Sequence, residues 1–314
     1  MSIVVFHRNF QRFQGGHLKV FHYFEHVRSS PSHDARIRFT PDSVWTASNP
    51  WCGLRETVID SGDTSLADVL FLSGPDWRSL EPDVRASSAV PIVNLIQGFR
   101  DTRLVAMRKF LPHRAIRLCV SPEIQETVEG AGIVEGPVIT VPAGIDLECL
   151  PPPRPAEERD LDCIVLGTKH PNLARSIAGR LSSSGYRVML VDHPVRRDAL
   201  LDAMARARVT VHLPHPREGA YLPALESMAL GAVVVCPDCV GNRSFCRDGE
   251  TCLMPARGKR AILESARVAL SASADELKPM RASAYQESRA RSLTAERRRF
   301  LEILDDVHEL WAAR

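Results

Sequence analysis

The sequence predicts an α/β protein with parallel sheets, in two halves. Short apolar runs alternate with helical patterns along all 314 residues, as strands covered by helices require. That length is sufficient for two domains, each with its own core. The run Pro151-Pro152-Pro153-Arg154-Pro155, followed by Glu157-Glu158-Arg159-Asp160, reads as the linker between them.

In the first half, Ile3-Val4-Val5-Phe6 is the opening strand. A loop from Arg8 to Gly16 follows, and Gly15-Gly16 leads into a helix with apolar residues at Leu18, Phe21, Phe24 and Val27. Asp68–Leu72, Pro91–Ile96 and Ile116–Val120 are buried strands. Glu123–Gly130 is a helix, and Val138–Pro142 closes the half. After the linker the pattern restarts with a strand at Asp162–Gly167 and a helix near Leu173–Ser184. Arg187–Val191, Val209–Leu213 and Val233–Cys236 are further strands, and from Lys259 onward the composition is helical.

Composition excludes several classes of function. Hydrophobic residues make up 44% and charged residues 25%, as in ordinary soluble proteins. A net charge of +2 does not argue for nucleic acid. No run is long enough for a membrane span, and the N-terminus lacks a signal-peptide core, so a cytoplasmic protein with reduced cysteines is expected. Arginines at Arg206 and Arg208 and at Arg297-Arg298-Arg299 read as solvated helix faces. They leave open a peripheral contact with the inner face of a membrane. Cys236-Pro237-Asp238-Cys239 is a C-x2-C, but Cys246 and Cys252 are spaced differently, and buried reduced thiols account for the set as well as zinc does.

The most informative stretch runs from Arg217 to Val235. Glu218 lies in a loop, Pro223 opens a helix, Glu226 sits about one turn in, and Gly231 stops the helix before an apolar strand. The N–H groups of Gly219, Ala220, Tyr221 and Leu222, with the positive helix end, form a site for a phosphorylated ligand. Carboxylates on either side can accept hydrogen bonds from hydroxyls, one set from a sugar and the other from a ribose. A nucleotide sugar fits the whole unit.

This stretch resembles the Glu-x7-Glu motif of the retaining, family 4-like glycosyltransferases, close to E-G-F-G-L-P-x-x-E-A-M-A-x-G-x-P-V-V. Glu218, Gly219, Leu222, Pro223, Glu226, Met228, Ala229 and Gly231 match, while Tyr221 stands where the family has its second glycine. Cys119–Glu123 is similar to the family's V-S-x-x segment and Val141–Asp146 to its I-P-N-G-I-D. Gly241-Asn242 and Arg247–Glu250 resemble its G-G-x-x-E and D-G-x-N-G stretch. The resemblance implies a GT-B fold, two Rossmann-like domains facing a cleft. Residues 1–150 would form an acceptor domain and 151–292 a nucleotide-sugar domain, with a C-terminal helix at about 293–314 packing back on the first.

On that reading Lys169, after Leu166-Gly167-Thr168, offsets charge on a departing diphosphate, although no arginine precedes it as in relatives. A solvent-exposed loop lysine is the plainer alternative. Glu226 would take the ribose hydroxyls and Glu218 the transferred sugar. Gly15 and Gly16 would let the backbone approach the diphosphate, unless they form only a turn. Gln97-Gly98 stands where relatives carry His-Gly or His-Asp, so Gln97 can hydrogen-bond a sugar but cannot accept a proton. His7 and His113 are the remaining candidates for a base. No metal, cofactor or nucleic acid is expected, and the partners are a nucleotide sugar and a saccharide or other hydroxyl acceptor. The expected activity is retaining, metal-independent glycosyl transfer. A GT-B epimerase or phosphorylase, and a catalytically silent GT-B subunit, are the alternatives.

Overall fold

The structure is a computed structural model that describes residues 1–13, 15–59 and 66–313, without the side chains of residues 100, 101 and 156. Gln14, in the loop expected between Arg8 and Gly16, lies outside the described residues. The chain divides into two compact units, Met1–Pro142 with Glu296–Arg314, and Ala143–Ala295.

Unit 1 runs β1 (Ser2–Arg8), α1 (Gly15–Arg28), β2 (His33–Phe39), β3 (Val69–Ser73), α2 (Pro82–Ala86), β4 (Ile92–Ile96), α3 (Arg100–Arg103), α4 (Val105–Arg108), β5 (Ile116–Cys119), α5 (Pro122–Glu129) and β6 (Val138–Thr140). All six strands are parallel, in the order β2-β1-β3-β4-β5-β6. β3, β4 and β5 are buried along their whole length, as expected of strands covered on both faces. β2 escapes the apolar-run criterion because it is an edge strand whose charged residues alternate with Ala35 and Ile37.

Unit 2 contains β7 (Leu161–Leu166), α6 (Pro171–Ser182), β8 (Val188–Val191), α7 (Arg197–Arg206), β9 (Ala207–His212), α8 (Leu222–Ala229), β10 (Val233–Val235), α9 (Lys259–Ser271) and α10 (Ala274–Ala290). Its parallel sheet has the order β10-β9-β7-β8. α6 and α9 pack on the side lined by Cys163, Val165, Val209 and Val211. α7 packs on the side lined by Ile164 and Leu166, and α8 packs with Val234 and Cys236. Cys236, Cys239, Cys246 and Cys252 are buried free thiols.

The segment expected as one C-terminal helix is two, α11 (Leu293–Asp305) and α12 (Val307–Ala312). Phe300 of α11 meets Tyr23 edge-on at 4.7 Å and lies 5.8 Å from Phe71, within the aromatic core of unit 1. Beside it Glu296 is buried between Lys19 (2.8 Å) and His26 (3.0 Å). The arginine clusters have local partners. Arg206 pairs with Asp160, Arg208 with Asp162 and Arg299 with Glu302, and Arg297 donates to the Ser29 carbonyl. Among the described residues no helix is long and apolar enough to cross a membrane.

Candidate active site

In each unit the chain reverses its direction of strand addition once. In unit 2 this happens between β7 and β9, which lie side by side while β8 is on the other flank of β7. Ligands in open parallel sheets bind outside the carboxyl ends of the strands at such a point. The loop leaving β7 carries Lys169 and the loop leaving β9 carries Glu218, and there the two meet, with Lys169 Nζ 3.8 Å from Glu218 Oε1. Lys169 is 60% exposed and Glu218 21%, so a ligand can reach both. Glu218 Oε1 also accepts from the His215 N–H at 3.2 Å, which fixes its direction.

The loop from Glu218 to α8 is held from outside by Gly241. A Cβ there would fall 2.7 Å from the Glu218 carbonyl and 2.8 Å from the Ala220 nitrogen, so only glycine permits the approach. Gly241 accordingly takes one of the expected phosphate-binding groups, since its carbonyl accepts from Tyr221 N–H at 2.9 Å. This corrects the reading in which Gly219 to Leu222 all offer free donors. The Gly219, Ala220 and Leu222 N–H groups have no acceptor among the described residues. Tyr221 caps α8 at φ −96°, so its place in the family's glycine position demands no left-handed backbone. The helix begins at Leu222, one residue before the expected start, and Gly231, at φ +73°, follows its end.

Glu226 is 3% exposed, and its Oε1 accepts from Arg197 Nη2 at 2.6 Å. Arg197, the first residue of α7, did not stand out in the sequence. The two are far apart along the chain and meet only because α7 and α8 start on the same edge of the sheet.

In unit 1 the reversal lies between β1 and β3. Gln97, just past β4, donates through Nε2 to the Gly16 carbonyl at 3.1 Å and to Ser73 Oγ at 3.0 Å. The structure therefore brings together Gln97 and Gly16, with Gly15 opening the same helix. Both histidines considered as a base are held by packing contacts. His7 is buried against Ser79 Oγ (2.9 Å), and burial, with Arg38, lowers its pKa to about 3. His113 stacks on Trp77 at 5.6 Å, and burial, then Arg85 and Arg117, lower its pKa.

The sequence reading missed the polar cluster behind Gly16. Arg8 Nη1 donates to Asp76 Oδ2 at 2.5 Å, and Arg8 Nη2 lies 2.9 Å from His17 Nδ1. Burial raises the Asp76 pKa to about 6 against the pull of Arg8. Burial and Arg8 lower that of His17 to about 4. Because arginine only donates, His17 Nδ1 must be the acceptor and Nε2 carries the proton. Its position directly after Gly15-Gly16 was the one available signal.

Residues 147–272 match the family model described as glycosyl transferases group 1. The fold is similar to that of sucrose-phosphate synthase from Thermosynechococcus elongatus, at 13% identity and TM-score 0.72 with 100% of both chains covered. It is also similar to Anabaena HepE in complex with UDP and glucose, at 12% identity and TM-score 0.76 over 98% of this chain and 100% of that one. A glycosyltransferase from Rickettsia africae shares it at 10% identity and TM-score 0.70, over 100% and 99% of the chains. No curated protein matches the sequence. The match over residues 147–272 and the fold together define the class, a glycosyltransferase of GT-B architecture with two Rossmann-like units.

Proposed function

We propose that the protein transfers a sugar from a nucleoside diphosphate sugar to a hydroxyl acceptor, with retention of configuration and without a metal ion. The observation that carries this reading is the meeting of Lys169 and Glu218 at 3.8 Å, beside the unpaired N–H groups of Gly219, Ala220 and Leu222. A cation, oriented amides and a helix start favour a diphosphate, and more strongly as it departs and gains charge. Glu218 then lies beside the transferred sugar, where its charge favours an oxocarbenium-like centre. Glu226 takes the ribose hydroxyls, with Arg197 sharing or yielding its carboxylate.

In the reaction the bond from the anomeric carbon to the leaving phosphate oxygen breaks. The acceptor oxygen bonds to the same face, and its proton passes to that phosphate oxygen. Solved complexes of HepE contain UDP and UDP-glucose, which makes UDP-glucose the first donor to try. Nucleoside diphosphate sugars, UDP-glucose first, are incubated with the protein without an acceptor, and slow release of free sugar and nucleotide is measured. Hydrolysis of at least one donor, lost in Lys169→Ala, is expected. If no donor is bound or hydrolysed, the reading fails and a silent GT-B subunit takes its place.

A further inference from the structure

Unit 2 has a small cavity lined by arginines and apolar residues at the opposite edge of its sheet. It has a volume of about 30 Å³ and lies where β9 and β10 begin, whereas Lys169 and Glu218 follow the carboxyl ends of their strands. Val233 and Leu277 form part of its apolar wall, and Arg159, Arg208 and Arg281 line the rest beside Gly231.

Two of these arginines, Arg159 and Arg281, have no carboxylate partner among the described residues. Arg159 is 4% exposed, yet its partners are all carbonyls: Nε donates to Arg154 O (3.0 Å), Nη1 to Ala207 O (2.6 Å) and Nη2 to Leu230 O (2.7 Å). Burial, then Arg281 and Arg154, pull its pKa down to about 10. Arg281 donates from Nε to Gly231 O at 2.9 Å, and its two terminal NH2 groups meet no acceptor among the described residues. Arg208 reaches a carboxylate, Asp162, only at 3.6 Å.

Part of this arrangement is structural, because Arg159 and Arg281 hold the carbonyls that end α8, where cations are favourable. Arg117 in unit 1 shows a buried guanidinium whose two terminal nitrogens are both engaged by carbonyls. It donates to the carbonyls of Phe110, Leu111, His113 and Ala115 and lies against Trp77. Arg281 differs in having donors to spare that face a cavity. Gly231 keeps the space open, since a Cβ there would lie 3.2 Å from Arg159 Nη2 and 3.7 Å from Arg281 Nη2.

We infer that this cavity binds a small inorganic oxyanion of the phosphate type. Its polar lining offers donors from three guanidinium groups, whose planar forks match the oxygens of a tetrahedral anion. The apolar walls keep their field strong. A single water needs about 10–15 Å³, so part of the anion fits inside while the rest stays in the open mouth. Bound there, it neutralises the arginines that anchor the end of α8, the helix of Glu226.

The test is thermal unfolding in increasing sodium phosphate at constant ionic strength set with sodium chloride, for wild type, Arg281→Gln and Arg208→Gln. Wild type is expected to show a saturable rise in Tm, with the half-saturating phosphate concentration at least tenfold higher in Arg281→Gln. Lys169→Ala is expected to keep the wild-type response, which separates this cavity from phosphate at the donor site. If either arginine variant does not fold, the other carries the comparison. A flat response in wild type, or the same saturation in the folded arginine variants, overturns the inference.

Discussion

Lys169 and Glu226 contribute to different stages of the proposed reaction, and their variants should differ accordingly. A leaving diphosphate gains charge only as its bond breaks, so Lys169→Ala should lower turnover more than donor affinity. The expected loss is about 10- to 100-fold in kcat, scaled down from buried oxyanion donors because Lys169 is well exposed. Turnover at saturating donor within about twofold of wild type, under ~0.4 kcal/mol, would make Lys169 a bystander. If Lys169 and the loop amides supply the positive field, activity should also survive EDTA. Loss of transfer with the chelator, restored by magnesium or manganese, would contradict that. Glu226→Gln should act on binding, because ribose contacts exist in ground and transition states alike. Charge-assisted bonds are worth about 1.5–3 kcal/mol, roughly a ten- to hundredfold loss of nucleotide affinity by calorimetry. Unchanged affinity in a folded variant would leave Glu226 as a structural partner of Arg197.

At the scale of elements, α11 is tied to unit 1 by Glu296, and its stability should show this. Burial would raise the Glu296 carboxyl, but Lys19 and His26 more than offset it and hold the pKa at about 2. The unfolded value is about 4.3, so the folded state binds the proton less tightly. The stabilisation is therefore fully present above about pH 4.3 and is lost as pH falls toward about 2. Glu296→Gln should cost about 3–5 kcal/mol at pH 7, as for other broken buried pairs, and less at pH 3 when both are measured by urea unfolding. An unchanged gap between the two pH values would show that the carboxylate charge is not the cause. None of this network is legible in the sequence, because Lys19 and Glu296 lie near opposite ends of the chain. The buried strands are legible, since β3, β4 and β7 are largely apolar and β9 carries the β-branched run Val209-Thr210-Val211. β2 and α7 are not. β2 alternates charge with apolar residues at an edge, and α7 starts at Arg197 with no capping side chain. The site follows the same rule. Glu218 and Glu226 can be read from a local motif, whereas Arg197 and the cluster of Arg8, His17 and Asp76 arise only when separate strand ends are brought together.

For the molecule as a whole, the stereochemical outcome of transfer depends on which groups can take a proton. An inverting reaction needs a protein base opposite the leaving group, with a pKa suited to the acceptor hydroxyl. In unit 1, Gln97 does not titrate, and its amide donates to Gly16 and Ser73. His7 is buried with a pKa of about 3, and His113 is stacked on Trp77. His17 is the histidine beside Gly16, but its Nδ1 faces Arg8 and its Nε2 carries a proton, so it can donate to a hydroxyl and not deprotonate it. In unit 2, Glu218 is paired with Lys169 and fixed by the His215 N–H, an arrangement suited to a positive sugar centre. In the proposed reaction the leaving phosphate serves as the base. It takes the acceptor proton on the face it departs from, and the acceptor oxygen forms its bond on that face. The product should keep the donor's anomeric configuration, read as the anomeric coupling constant in proton NMR of fresh product. An inverted linkage would require a base able to leave its present partners. Asp76, with its pKa raised to about 6 by burial, would be the first residue to replace.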